Sequence, residues 1–253
     1  MVSMNVHIVY AHPSETSLNA ALRDEMTATL EALGHTTTVS DLYAMKWKAV
    51  ADYDDFGTTV SDDYISASGE AYESGAMAAD ILAEQERLRD AETVILQFPL
   101  WWFSMPAIMK GWADRVLTNG FGYGTTRAWK RYGDGELAGK RAMIVVTAGA
   151  GEAHLSERGV NGGIEHLLFP INHGILFYTG MEVLPPIVVA GAVRLDDDGY
   201  AAAVERLRGR LETLEETEPI AFRPQDGGDY DESRRLKPGL ERPGTGGFDL
   251  HIA

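Results

Sequence analysis

The sequence predicts an α/β fold in which a parallel sheet is covered by helices on both faces. Three observations predict it. Short β-rich runs recur at Asn5–Ala11, Val94–Phe98 and Ala142–Thr147. Each is continuously apolar or nearly so, as strands buried on both faces are, instead of alternating as half-exposed strands do. Between the first run and the next, Ser17–Leu33 sets Leu18, Ala21, Leu22, Met26, Leu30 and Leu33 at helical spacing, which makes a β-loop-α-β unit.

Taken in order, the first strand stops at His12-Pro13-Ser14, and Gly34 ends the first helix before Thr36–Ser40 restarts as a strand. Asp52–Gly75 is polar, rich in Asp, Ser and Gly, and reads as a long excursion from the rhythm. Val94–Phe98 is ended by Pro99, and a helix runs from about Pro106 to Leu117, with proline at its start, where a missing N–H costs nothing. Ala142–Thr147 runs into Ala148-Gly149-Ala150-Gly151, and Val183–Ala190 is expected as the last strand. Pro219–Ala253 is dense in glycine, proline and charge. Composition leaves a disordered tail open there, while Phe248-Asp249-Leu250-His251-Ile252, apolar at alternate positions, suggests docking on the domain or on a partner subunit. The expected division is a sheet domain over 1–218 and a C-terminal extension over 219–253.

The 253 residues, 45% hydrophobic, suit one domain with insertions. A formal net charge of −16 argues against a nucleic-acid partner and against docking on an anionic membrane. The absence of cysteine excludes disulfides, thiolate chemistry and cysteine-based metal sites, and no metal is expected. No apolar run is long enough to span a bilayer, and no cationic stretch precedes the first strand, so a cytoplasmic protein is expected.

Ligands of open parallel sheets bind outside the carboxyl ends of the strands. Three loops leave such ends here. In His12–Asn19, Thr16, Ser17 and Asn19 bring hydroxyls and an amide to a helix N-terminus, which favours an anion such as phosphate, although this loop alone reads as an ordinary N-cap. Pro99-Leu100-Trp101-Trp102-Phe103-Ser104-Met105-Pro106 carries three consecutive aromatics that cannot all enter the core. They offer flat area to a planar ligand or to a subunit interface. Thr147-Ala148-Gly149-Ala150-Gly151 lets the backbone approach a ring edge. Together the three suit a ligand with a phosphate tail and a flat ring, which describes a flavin nucleotide.

The stretches Ala11–Asn19, Ser40–Met45 and above all Gln97–Trp112 resemble the NAD(P)H:quinone oxidoreductase (DT-diaphorase) family, with Asp80–Gln85 and Phe169–Ile175 adding to the likeness over residues 5–220. The resemblance implies a flavodoxin-like fold with a five-stranded parallel sheet, FAD rather than FMN, NAD(P)H as cosubstrate, a quinone-type acceptor, and a homodimer with its active sites between subunits. By position, His12, Thr16, Ser17, Leu18 and Asn19 hold the FAD phosphates and adjoining groups. Pro99, Leu100, Trp101, Trp102 and Phe103 line the isoalloxazine, with Thr147, Ala148, Gly149 and Ala150 along its pyrimidine edge. Trp102, Phe103 and Tyr123 frame a pocket that nicotinamide and quinone occupy in turn, which implies ping-pong hydride transfer. Where mammalian members place a Tyr and a His after the glycine loop, this chain has Leu155 and Asn161. Both fall in the substrate-binding set, and Asn161 and the neighbouring His154 are the candidates for a catalytic role. Two alternatives are an FMN-dependent azo- or nitroreductase of the same fold and a regulatory flavoprotein subunit of a potassium-efflux transporter.

Overall fold

The computed structural model describes residues 3–58, 61–124 and 130–253. Strand β1 (Asn5–Tyr10) lies between β2 (Thr36–Asp41) and β3 (Thr93–Pro99), and β4 (Arg141–Thr147) continues beyond β3. All pairings are parallel, and β5 (Glu182–Val183) and β6 (Ile187–Val189) both pair with β4. The register brings Tyr10 beside Gln97, Pro99 beside Thr147, and Thr147 beside Val189, so the carboxyl ends are flush. This is the flavodoxin-like sheet expected from the sequence, with a sixth short strand added.

Alternate residues of each strand feed two cores, one per face, because side chains in a strand point to opposite sides. Val9, Leu96, Phe98, Ile144 and Val146 pack against α2 (Tyr64–Ser74), α3 (Ala79–Asp90), α4 (Ala107–Val116) and α5 (Ile164–Ile171). Ile8, Tyr10, Ile95, Met143 and Val145 pack against α1 (Leu18–Ala32) and α6 (Asp197–Glu212). The local signals agree with these positions. Ser17 caps α1 by accepting from Ala20 N, and Gly34, at φ +85°, lets the chain turn back into β2.

One buried cluster ties β1, β2, α3 and α4 together. Glu84 is fully buried and accepts from Ser40 Oγ at 2.8 Å, from Trp112 Nε1 at 2.7 Å and from Arg87, with His7 Nε2 at 3.8 Å. Burial pushes its carboxyl upward, but the nearby His7 ring and the hydrogen bonds from Trp112 and Ser40 outweigh burial and hold it below the usual range.

Two segments differ from the sequence expectation. The excursion Asp52–Gly75 contains a 3-10 turn (Tyr53–Phe56) and the helix α2, while its residues 59 and 60 lie outside the described ones. Asp63 caps α2 through Ser66 N, and the buried side of the helix is Ala67, Ser68 and Ala71. Small residues bury a helix without writing a hydrophobic stripe, which is why the sequence concealed it. Asp55 pins the 3-10 turn by accepting from Arg115 Nε at 3.1 Å and Nη2 at 2.9 Å, beneath Trp47, whose ring lies 4.6 Å from the guanidinium. The single last strand expected over Val183–Ala190 is two strands. Pro185 and Pro186 stand between them and have no N–H to give a ladder.

After α6 the chain folds back on itself. Ile220 N donates to Val183 O at 2.7 Å, Phe222 pairs with Ile252, and a 3-10 turn (Gly247–His251) precedes the last residues. Phe222 enters the first core. Phe248 stacks on Phe169 of α5, with ring centroids 4.3 Å apart. From α5 the chain passes into a π-helical turn, Asn172–Phe177. Among the described residues no helix is long and apolar enough to cross a membrane.

Candidate active site

Strand order reverses between β1 and β3, and the three loops that leave β1, β3 and β4 are neighbours at that point. The first, His12–Ser17, is folded by its own side chains. Ser14 N donates to His12 Nδ1 at 3.1 Å, and Ser17 Oγ donates to Ser14 O at 2.8 Å. Thr16 stays exposed, and the loop delivers the positive end of α1 to the sheet edge. Leu18 is half-buried.

The second loop is a two-residue hairpin. Trp101 and Ser104 exchange both backbone hydrogen bonds at 3.0 Å, and the residues between them, Trp102 and Phe103, sit at φ +51° and +61°. That is the geometry of a turn normally filled by Asn-Gly. Two bulky residues hold it at a cost in backbone strain, and the result is that their rings project outward. Trp102 is 95% exposed, Phe103 50% and Trp101 40%. Isolated strain of this kind clusters at functional sites.

The third loop is clamped to both others. Leu100 N donates to Thr147 O at 2.8 Å. Asn19 Nδ2 donates to Thr147 Oγ1 at 2.8 Å, and Gln97 Nε2 donates to Asn19 O at 2.7 Å. Ala148 N donates to Val189 O, and Ala150 O accepts from Gly191 N, each at 2.9 Å. The His12 and Trp101 rings lie 6.0 Å apart and join loops one and two. Gly149 is exposed and Ala150 half-exposed.

The structure thus brings together His12, Thr16, Ser17, Leu18, Asn19, Pro99, Leu100, Trp101, Trp102, Phe103, Thr147, Ala148, Gly149 and Ala150. It also gives some of them duties the sequence did not indicate. Asn19 and Thr147 are buried and spend an amide and a hydroxyl on each other, and Ala148 spends its N–H on Val189. Gln97, read only as part of a motif, completes the brace. Asn19 Oδ1 and Gln97 Oε1 are buried here with no hydrogen-bond partner among the described residues. What stays open to a ligand is the Thr16 hydroxyl at the N-terminus of α1, the Trp101–Phe103 rings and the exposed Gly149, a set that fits the phosphate, the flat ring and the ring edge of a flavin nucleotide.

The remaining candidates are placed differently. His154 N donates to Gly151 O at 3.0 Å, so the 3-10 turn Glu152–Leu155 prolongs the third loop, and His154 itself is exposed. Asn161 N returns to His154 O at 3.1 Å and leaves its side chain half-exposed. Leu155 is 5% exposed and lines a groove of about 620 Å³ with Ile164 and Val188. Tyr123 stands apart, 5.8 Å from the Tyr178 ring, in a cleft of about 270 Å³ that also includes Lys110 and Asp114. Burial raises its phenol above the ordinary value. Tyr178 had no signal in the sequence, since its meeting with Tyr123 is a tertiary event.

Comparison with known proteins accords with this geometry. Residues 4–211 match the family model described as flavodoxin-like fold. A ribosyldihydronicotinamide dehydrogenase-like protein of Penicillium crustosum is 49% identical over 235 residues, which cover 90% of this chain and 87% of that one. NAD(P)H dehydrogenase [quinone] 1 of Rattus norvegicus is 37% identical over 221 residues, 86% of this chain and 80% of that one. The crystal structure of a quinone reductase candidate from Klebsiella pneumoniae superposes with a TM-score of 0.94 at 51% identity, covering 99% of this chain and all of that one.

Proposed function

The chain belongs to the NAD(P)H:quinone oxidoreductase family of flavodoxin-like proteins, and on that premise we propose that it reduces quinones by two electrons taken from a dihydronicotinamide donor through bound FAD. The observation that carries this reading is the strained hairpin that holds Trp102 and Phe103 outward beside the N-terminus of α1. A flavin, when bound, supplies hydride chemistry, and the protein supplies position and electrostatics.

In this reading His12, Thr16, Ser17 and the first turn of α1 hold the phosphates, where helix N–H groups and the helix dipole favour negative charge. Pro99, Leu100 and Trp101–Phe103 form the wall against the flat ring. Gly149 and Ala150 offer backbone N–H groups to its edge, and the Asn19–Thr147–Gln97 brace fixes the distance between these walls. Trp102 and Phe103 also form the shelf for donor and acceptor. Both need that one shelf, so they occupy it in turn, and turnover is ping-pong. Tyr123 shares no ring contact or hydrogen bond with these loops among the described residues; a homodimer with its sites between subunits, as the family resemblance implies, brings Tyr123 of a second copy to the pocket. Asn161 and His154, at the end of the third loop, are the groups nearest in sequence to the expected charge-stabilising position. Residues 1–218 serve as the flavin-binding domain, 219–253 as its extension, and the protein acts in the cytoplasm.

The test is the absorption spectrum of the purified chain, the mass of the flavin it releases, and steady-state kinetics. Released FAD, bleaching by a dihydronicotinamide and parallel double-reciprocal lines with a simple naphthoquinone are expected. NADH, NADPH and dihydronicotinamide riboside are compared as donors, since the relatives' names divide between them. Released FMN would move the reading to the azoreductase-like alternative. Intersecting lines would remove the ping-pong order, and a colourless chain that neither flavin reconstitutes would remove the proposal.

A further inference from the structure

A separate cavity of about 490 Å³ lies where the C-terminal extension closes over α5 and the π-helical turn. One wall is a stack of rings. Phe248 lies on Phe169 at 4.3 Å and 7°, Phe169 lies on His173 at 4.5 Å and 17°, and Tyr132 approaches His173 at 4.9 Å. Tyr230 and His251, joined through the phenol and Nδ1 at 2.8 Å, also line the cavity. Burial and the neighbouring His251 hold the His173 imidazole down at about 4, and burial and Arg223 lower His251, so both rings are neutral near pH 7.

The polar lining is one-sided. Arg131, Arg223 and Arg234 line the cavity and, among the described residues, no carboxylate does, in a chain whose formal net charge is −16. The guanidinium groups are already held in place. Asp229 takes Arg223, Asp226 takes Arg234 Nη1 at 2.6 Å, and Gln225 Oε1 accepts from Arg131 Nε at 2.8 Å. Neither aspartate lines the cavity. A pre-set guanidinium loses little freedom when it meets an anion, and its planar fork matches a carboxylate. The cavity shares no residue with the three loops at the strand ends.

We propose that this cavity binds a planar aromatic acid, with its ring laid on the Phe248–Phe169–His173 stack and its anionic group on the arginines. The volume is that of an ordinary small-molecule site, roughly 300 to 1,000 Å³, and suits one or two fused rings. Flat rings select flat ligands, and the arginines select against neutral ones. An occupant also joins the extension to α5, because Phe248 and His251 come from one and Phe169 from the other.

The probe is 2-naphthoate, titrated calorimetrically into the full-length chain beside its neutral analogue 2-naphthalenemethanol. One saturable site per chain is expected for the acid. Arg234→Gln, at an exposed position, should weaken the acid about tenfold and leave the alcohol unchanged, the size expected for one charge-assisted contact. Phe248→Ala should weaken both ligands, and Trp102→Ala should weaken neither. Absence of saturation at about 1 mM would overturn the proposal. So would binding that survives Arg234→Gln but is lost in Trp102→Ala, since the acid would then be occupying the strand-end loops. If Phe248→Ala does not fold, as a thermal melt will reveal, the Arg234→Gln comparison still decides.

Discussion

Asn19 Nδ2 donates to Thr147 Oγ1 over 2.8 Å, although 128 residues separate the two in the chain. The bond is buried and links the first turn of α1 to the end of β4, across the carboxyl end of β3. Thr147→Val keeps the shape and removes the acceptor, leaving an amide N–H₂ unsatisfied in the interior. The expected cost is about 1–3 kcal/mol, read as a lower denaturant midpoint at unchanged m-value. Flavin should dissociate more readily from the variant, as equilibrium dialysis will measure. Unchanged stability and unchanged flavin retention would show that the brace positions nothing.

The Trp102–Phe103 turn is held in a conformation that bulky L-residues avoid. Replacing the pair by Asn-Gly supplies the residues this turn prefers, and little apolar burial is lost because Trp102 is 95% exposed. The variant should be more stable by on the order of 1 kcal/mol. Quinone reduction should fall at least about tenfold in kcat/KM, the usual conflict between a strained site and a relaxed one. Thermal melts and steady-state kinetics on the same sample test both halves.

Arg115 and Asp55 are 2% and 1% exposed and form a buried pair, with Asp80 and Lys48 at its edges. Arg115→Met leaves the Asp55 carboxylate buried beside Lys48 alone and should cost about 3–5 kcal/mol. Adding Asp55→Asn should recover part of that loss, which a double-mutant cycle quantifies. Additive losses would mean that the two residues act independently.

The acid limb of stability carries two separable contributions. Glu84 has a folded value below its unfolded one of about 4.3, so its contribution is complete above that pH and disappears as pH falls through the lower folded value. Glu84→Gln should cost roughly 2–3 kcal/mol at pH 7, and the gap to wild type should narrow in acid.

His173 acts in a different window. Its folded value of about 4 lies below the ordinary imidazole value of 6.5, so the unfolded chain takes up the proton first. Stability is lost as pH falls from 6.5 toward 4. His173→Phe keeps a ring in the stack and should flatten the profile in that interval, by on the order of 1 kcal/mol after allowance for residual solvent contact. Urea titrations between pH 7 and pH 4 will show whether the two profiles converge or stay parallel.

What the sequence disclosed depended on how local each signal was. Strands β1, β3 and β4 are buried on both faces, so their apolar runs stood out, and Ser17, Gly34 and Pro106 marked helix ends by chemistry that acts within a few residues. Helix α2 escaped notice because its buried residues are Ala67, Ser68 and Ala71. The loops that leave β1, β3 and β4 were legible from where the apolar runs stop, at His12, Pro99 and Ala148. The direction of individual side chains was not legible, since nothing near Asn19 announces Thr147. The ring stack of Phe169, His173 and Phe248 is written in two stretches some eighty residues apart, and only the folding-back of the extension assembles it.

The split of the last strand by Pro185 and Pro186 has a consequence for behaviour in solution. A long, regular strand beside β4 would present a row of open N–H and C=O groups able to recruit a strand from another molecule. The strands there are two and three residues long, with two prolines between them. Short, interrupted margins of this kind are poor templates for edge-to-edge aggregation. Replacing both prolines with β-branched residues should therefore show itself less in the melting temperature than in a tendency to form fibrils or precipitate at high concentration.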